Sequence, residues 1–186
     1  MKKSILKFAF AIIALLGLSS CREDGKWEDS LFFEGDPSSR INIQVKKTTT
    51  HIPAGWATPE RWETTYQHSV ANFTKNFILK GGGENKISKI EYKVSFKYDY
   101  NGQTRKRTYT FTELIDPSQA VVTYSNKPHA INQYFGSPNE ANEGNAYTIA
   151  NELNPYDGEV TITAHTQLGK TLTKTFTASI LKEYVN

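Results

Sequence analysis

The sequence predicts an all-β protein: an antiparallel β-sandwich of roughly seven to nine short strands with at most one short helix. Three observations predict it. Apolar and polar residues alternate with period two in segment after segment from residue 40 onward, the pattern of half-buried strands. Gly- and Asn-rich turn signals separate those segments. No helical segments alternate with them, which argues against βαβ units and a parallel sheet.

The first twenty residues are of a different kind. Lys2, Lys3 and Lys7 form a positive start, the run from Phe8 to Leu18 is apolar, and Ser19 and Ser20 are small. That run is about half the roughly 20 residues a membrane-spanning helix needs, so residues 1–20 read as a signal peptide that is removed. Leu18-Ser19-Ser20-Cys21 resembles the lipobox of bacterial lipoproteins: Leu, two small residues, then the obligatory Cys. The resemblance implies cleavage before Cys21, lipid on that residue and attachment to a membrane. Cys21 is the only cysteine, so no disulfide can form within the chain, and lipidation accounts for an otherwise unpaired thiol. Each buried methylene adds about 0.8 kcal/mol, so the diacylglycerol and further acyl chain that the resemblance implies make a permanent anchor.

Loss of residues 1–20 removes three lysines and leaves 19 basic against 19 acidic side chains, a formal net charge of zero. The basic balance of the whole chain belongs to the signal. A nucleic-acid partner, which calls for a basic patch or stripe, is not expected.

Residues 21–39 read as a lipidated tether and residues 40–186 as the sandwich domain. Glu23-Asp24, close behind the lipid-bearing cysteine, resembles the export signal of Bacteroidetes surface lipoproteins, which implies display on the outer membrane; Arg22 departs from the all-acidic form and keeps the periplasmic face open. Asp29-Ser30-Leu31 resembles the short O-glycosylation motif of the same group, with Ser30 as acceptor. Leu31-Phe32-Phe33 is too apolar for a free linker and is expected to dock on the domain as an edge or cap.

Within the domain, Ile41, Ile43 and Val45 mark a first strand, Trp62, Tyr66, His68 and Val70 a second, and Phe73 to Leu79 a third that ends at Gly81-Gly82-Gly83. From Ile90 to Tyr100 the alternation is unbroken, and Asn101-Gly102 follows, the preferred pair for a two-residue type I′ hairpin turn because both positions need positive φ. That turn sets Tyr100 opposite Gln103, Tyr98 opposite Arg105, Phe96 opposite Arg107, Val94 opposite Tyr109 and Tyr92 opposite Phe111. Lys97 opposes Lys106, tolerable only on a wet face. Residues 115–157 read as loop-rich, with a capping box and an N1 proline at Ser137-Pro138-Asn139-Glu140. Near the C-terminus, Val160, Ile162 and Ala164 alternate, and Leu172, Phe176, Ala178 and Ile180 alternate on the return. Placing Ile162 opposite Phe176 requires a loop of odd length. This closing hairpin resembles the last hairpin of immunoglobulin-like and fibronectin-III-like domains, a likeness of architecture that implies fold and not activity.

Catalytic and metal patterns are missing from the sequence. His51, His68, His129 and His165 have no ligand-like spacing; His68 is expected inward near a sheet edge and the others in loops. There is no Gly-x-Ser-x-Gly elbow, no thiol beyond Cys21, no phosphate loop at Gly81-Gly82-Gly83 and no calcium loop at Asp157. No enzyme, cofactor or metal is expected.

What remains is aromatic surface. Trp56 stands between Gly55 and a Pro-bounded segment, open equally to ligand contact and to packing as a loop plug. Trp62 begins an alternating strand, so core packing is favoured over ligand contact. Tyr98, Tyr100, Arg105 and Arg107 gather at the hairpin tip, either as a site for an acidic or planar group or as a solvated end. Tyr134 lies in the long loop from Pro128 to Gly144. The expectation is a membrane-anchored, non-enzymatic binding lipoprotein that contacts a glycan or an envelope or host protein through loop aromatics. The alternatives are a fimbrial or adhesin-associated assembly subunit, or an inhibitor-type module, acting through sheet edges.

Overall fold

In the computed structural model, which describes residues 30–136 and 147–186, the alternating segments form eight strands and, among the described residues, no helix. They are β1 (Leu31–Ile52), β2 (Arg61–Gly81), β3 (Ile87–Tyr100), β4 (Gln103–Leu114), β5 (Val121–Phe135), β6 (Tyr156–Thr166), β7 (Thr171–Thr177) and β8 (Ser179–Val185). Two four-stranded sheets, ordered β5-β2-β1-β8 and β4-β3-β6-β7, pack as a sandwich. The signal segment, Cys21 and the capping box at residues 137–140 lie outside the described residues.

Each sheet turns one face inward, as the period-two pattern requires. Ile41, Ile43 and Val45 of β1 meet Ile90, Val94 and Phe96 of β3, with Val160, Ile162 and Ala164 of β6 behind them, all buried. Ring contacts knit the layers: Phe73 lies 5.6 Å from Tyr92, and Phe96 is edge-on to Phe135 at 5.1 Å.

The β3–β4 hairpin has the register set by its turn. Tyr100 pairs with Gln103 and Tyr92 with Phe111, and Asn101 and Gly102 take φ of 49° and 74°. Lys97 does oppose Lys106, and the Asp157 carboxylate 3.1 Å from Lys97 relieves the repulsion.

Four features depart from the sequence pattern, each for a local reason. First, β1 begins at Leu31, so residues 31–39 belong to the sheet and not to a tether. Gly35-Asp36-Pro37 looks like a linker but is a bulge, with Gly35 at φ 75° and pairing interrupted between Glu34 and Ser38. Second, residues 61–81 form one strand instead of two. Ala71 is an extra residue in the pairing with β1, and it shifts the inward set from His68 and Val70 to Phe73, Phe77 and Leu79. Third, residues 121–135 are strand and not loop. Asn126 and Asn132 at φ 48° and 52° break the alternation, and Pro128 is tolerated because β5 is an edge. Fourth, Ile162 faces Lys174 while Phe176 faces Val160. The loop is odd as expected, but Thr166 and Lys170 close it one pair earlier, with Gly169 at φ 80°.

After β7 the chain changes sheets. Ala178 is the crossing residue, and β8 then runs parallel to β1 from Arg40↔Ser179 to Lys46↔Val185, the one parallel pair in an otherwise antiparallel set. Gly158 makes the crossing possible: its carbonyl accepts the Ala178 N–H at 2.8 Å, and a Cβ on Gly158 would stand 2.4 Å from the Ala178 oxygen. Gly158→Ala should therefore destabilise the fold by roughly 1–3 kcal/mol, measured by urea denaturation. An unchanged midpoint would contradict this account of the crossing.

Candidate functional site

The two poles of the sandwich differ. At the pole where β1 begins, backbone hydrogen bonds tie the loops together: Gly82 N–H to Ser30 O, Gly81 N–H to Ala120 O, Ile87 N–H to Gln119 O and Gln167 N–H to Lys86 O, at 2.6–3.2 Å. At the other pole β1 and β2 outrun both neighbours. Pairing of β1 with β8 stops at Lys46, and pairing of β2 with β5 stops at His68. Ile149 forms a last bridge to Tyr66.

Beyond that point the pairs Thr48↔Thr65 to Ile52↔Arg61 stand alone as a two-stranded arm, about 15 Å long at ~3.3 Å per residue. An isolated ribbon is marginal in water, and this one is reinforced from its own side chains. Thr49 and Thr64 share a hydrogen bond of 3.2 Å, His51 packs on Trp62 at 4.7 Å, and Glu60 lies 2.6 Å from His51 Nε2. Arg61 Nε donates to Glu63 at 2.7 Å.

The arm carries both tryptophans expected to matter. Trp56 follows Gly55 in a tight turn closed by the Gly55 N–H to Thr58 O bond of 2.9 Å, and its ring is fully exposed. Trp62 is 68% exposed, so core packing does not hold for it. Its strand is a genuine alternating strand, but at that height no second sheet lies beneath it.

The hairpin-tip cluster is not a surface site. Tyr98 is completely buried, 5.2 Å from Phe135, because β5 extends over the end of β3. Arg107 is buried too, its Nε donating to Tyr109 OH at 3.3 Å. Tyr100 and Arg105 are half-buried, and Arg105 donates to Gln103 at 3.1 Å. Tyr134 sits in β5, half-buried, opposite Ser69. Ser30 is half-buried just before β1, with its carbonyl bonded to Gly82. Beside the base of the arm, a polar cleft of about 500 Å³ opens between Asp99–Gly102 and residues 148–153.

Two polar clusters lie in the interior, and of these the sequence reading anticipated only the inward placement of His68. Lys75, on β2, reaches Glu113 of β4 at 2.6 Å across the interior, over the Tyr124 ring at 4.1 Å, while Tyr92 OH donates to the same carboxylate at 2.9 Å. Burial tends to raise the Glu113 pKa, but the bonds from Lys75, Tyr124 and Tyr92 bring it below its ordinary value; burial raises both tyrosines. The signal was present: Lys75 and Glu113 each fall on the apolar face of their strand. The histidines expected in loops lie on strands, His51 on β1, His129 on β5 and His165 on β6. Among the described residues no metal-holding group of three or more such side chains forms.

His68 is the second cluster. It is completely buried, and its Nε2 accepts the Leu153 N–H at 3.2 Å. Burial, reinforced by the Lys182 ammonium and only partly opposed by Glu152, lowers its pKa to about 4. Burial also lowers that of His129, which stacks on Phe111 at 3.9 Å. The sign follows from linkage. Below about pH 6.5 the unfolded chain takes up these protons and the folded one does not, so stability falls as the pH drops from 6.5 towards 4. His68 alone contributes up to about 3 kcal/mol of that loss. Urea midpoints between pH 7 and 4.5 should decline, and His68→Gln should flatten much of the decline. A flat wild-type profile, or an equal slope in the variant, would contradict the assignment.

No known family profile matches this chain, and no curated protein matches it. The chain's own geometry therefore carries any functional reading.

Proposed function

We propose that this chain is a non-enzymatic binding module, anchored in the cell envelope through lipid on Cys21, that docks on an envelope or host protein through its β1–β2 arm. The observation that carries the reading is the pair of exposed indoles, Trp56 and Trp62, on an arm that no sheet covers. Tryptophan is the residue type most enriched among energetic anchors of protein interfaces, because a rigid ring buries a large area at low entropic cost. Apart from the contact of Trp62 with His51, the two rings are left in solvent on the ribbon.

The position of the arm supports the reading. The paired length from Leu31 to Ile52 spans 19 residue pairs, about 60 Å at ~3.3 Å each. With lipid at Cys21, close in sequence to Leu31, the membrane lies at the closed pole and the indoles at the far one. The Glu23-Asp24 pair behind Cys21 is what favours the outer membrane with the domain on the cell surface.

The glycan alternative has one observation in its favour: the fully exposed Trp56 ring can present a face to a sugar. The two readings separate cleanly. Trp56→Ala and Trp62→Ala should each weaken capture of the wild-type partner at least about tenfold, a loss of ~1.4 kcal/mol or more, while glycan-array signals stay unchanged. Unaltered capture in both variants would sink the arm as the docking site.

An assembly role rests on a different feature. β4 is an edge of 12 residues without bulge, proline or positive φ, a regular template for strand addition. That role predicts concentration-dependent oligomers in sedimentation velocity; a monomer at the highest soluble concentration would contradict it.

A further inference from the structure

The outward face of the β4-β3-β6-β7 sheet is a second surface, on the flank of the sandwich and away from the arm. Its rows follow from the pairing registers. Thr112, Glu91, Thr163 and Thr173 lie side by side across the four strands, and Thr110, Lys93, Thr161 and Thr175 form the next row. Nearer the β3–β4 turn come Thr108, Ser95, Glu159 and Thr177, then Lys106, Lys97 and Tyr156.

This face is hollowed. One cleft of about 300 Å³ lies among Glu91, Lys93, Thr110, Thr112, Thr161 and Thr163. A second of about 340 Å³ lies among Ser95, Lys97, Lys106, Asp157, Glu159 and Thr177. Both follow β3, so they adjoin end to end. At the upper end the Tyr156 ring is partly exposed, and its hydroxyl donates to Asp99 at 3.1 Å.

We infer that these adjoining clefts bind a neutral polysaccharide chain. The chemistry of the lining selects that class. Sugar hydroxyls both donate and accept hydrogen bonds, and the clefts offer ammonium donors, carboxylate acceptors and threonine hydroxyls that do both. Thr161 bonds Thr175 at 2.9 Å and Thr163 bonds Thr173 at 3.1 Å, which fixes the hydroxyls in a row and leaves each with further lone pairs. Beside the clefts, the partly exposed Tyr156 ring offers apolar surface to a sugar.

The clefts carry no net formal charge, which gives an acidic polymer no electrostatic advantage. Lys93, Lys97 and Lys106 are balanced by Glu91, Asp157 and Glu159 in the same two clefts. Glu91 is already engaged by Lys89 at 2.6 Å and Asp157 by Lys97, whereas Lys93, Lys106 and Glu159 have no ion-pair partner among the described side chains, so these three remain for a ligand. A protein partner would need anchors of large aromatic or arginine type, and the clefts present threonine and lysine.

The test is native affinity electrophoresis of the full chain in gels containing a β-glucan, a mannan, a xylan or, as the acidic comparison, a pectin. The inference predicts retardation by at least one neutral polymer, with an apparent affinity about tenfold weaker in Lys93→Ala and in Glu159→Ala and unchanged in Trp56→Ala. Both face variants replace solvent-facing side chains, and far-UV circular dichroism checks that each is folded. Absence of retardation by every neutral polymer overturns the inference, as does retardation by pectin alone. Retardation that survives both face variants, or that Trp56→Ala abolishes, also overturns it; the last result would move glycan binding from the clefts to the arm.

Discussion

The pairing of β1 with β2 is the constraint on which the rest of the structure depends. It runs from Leu31↔Gly81 to Ile52↔Arg61, and its lower part forms the middle of one sheet. There Ile41, Ile43 and Val45 lie on the core, and burial of such side chains contributes roughly 1.5–3 kcal/mol each. Its upper part leaves the core behind and becomes the arm. The bulge at Ala71 is what lets one strand serve both parts, because it brings Phe73, Phe77 and Leu79 inward after His68 and Val70. As a middle strand β1 also needs a partner on its other side, and the chain supplies it only by crossing between sheets at Ala178. The tight contact of Gly158 with Ala178 is thus a consequence of the same pairing.

The interior is not uniformly apolar, and its polar groups are placed where strands from different sheets must meet. Lys75 and Glu113 join the sheets through a charge pair, the ammonium buried and the carboxylate half-buried, with tyrosine partners. Removing one member of such a pair costs far more than the pair itself contributes, since the other charge is left stranded. Register is the property it protects: a one-residue slip of β4 would turn Glu113 away from Lys75 and Phe111 out of the core. His68 acts similarly at the arm's base, where it holds the Leu153 backbone against β2.

Local chemistry was legible in the sequence wherever it was unbroken. Asn101-Gly102 fixed the whole β3–β4 register, and the alternation from Ile90 to Tyr100 identified the face that is buried. Legibility failed where a bulge or a distant element intervened. Gly35-Asp36-Pro37 and the asparagines at 126 and 132 look like loop residues because bulges use the same residue types as turns. Trp62 and Tyr98 show the other limit. Both lie on alternating strands, yet one is exposed and the other buried, and what separates them is whether the opposite sheet reaches their height. That is decided by how far β5 reaches over β3 and how far the β4-β3-β6-β7 sheet reaches under β2, not by the residues beside them.

A long central pair projecting from a closed, knitted pole gives the molecule an axis, with the indoles at its free end. Iodide quenching of fluorescence in the Trp27→Phe chain, in which Trp56 and Trp62 are the remaining tryptophans, tests that arrangement most directly. The account predicts the red-shifted emission of solvated indole and quenching close to that of a free tryptophan derivative. Blue-shifted emission protected from iodide would contradict it, because the arm would then be folded back with its rings against the sandwich.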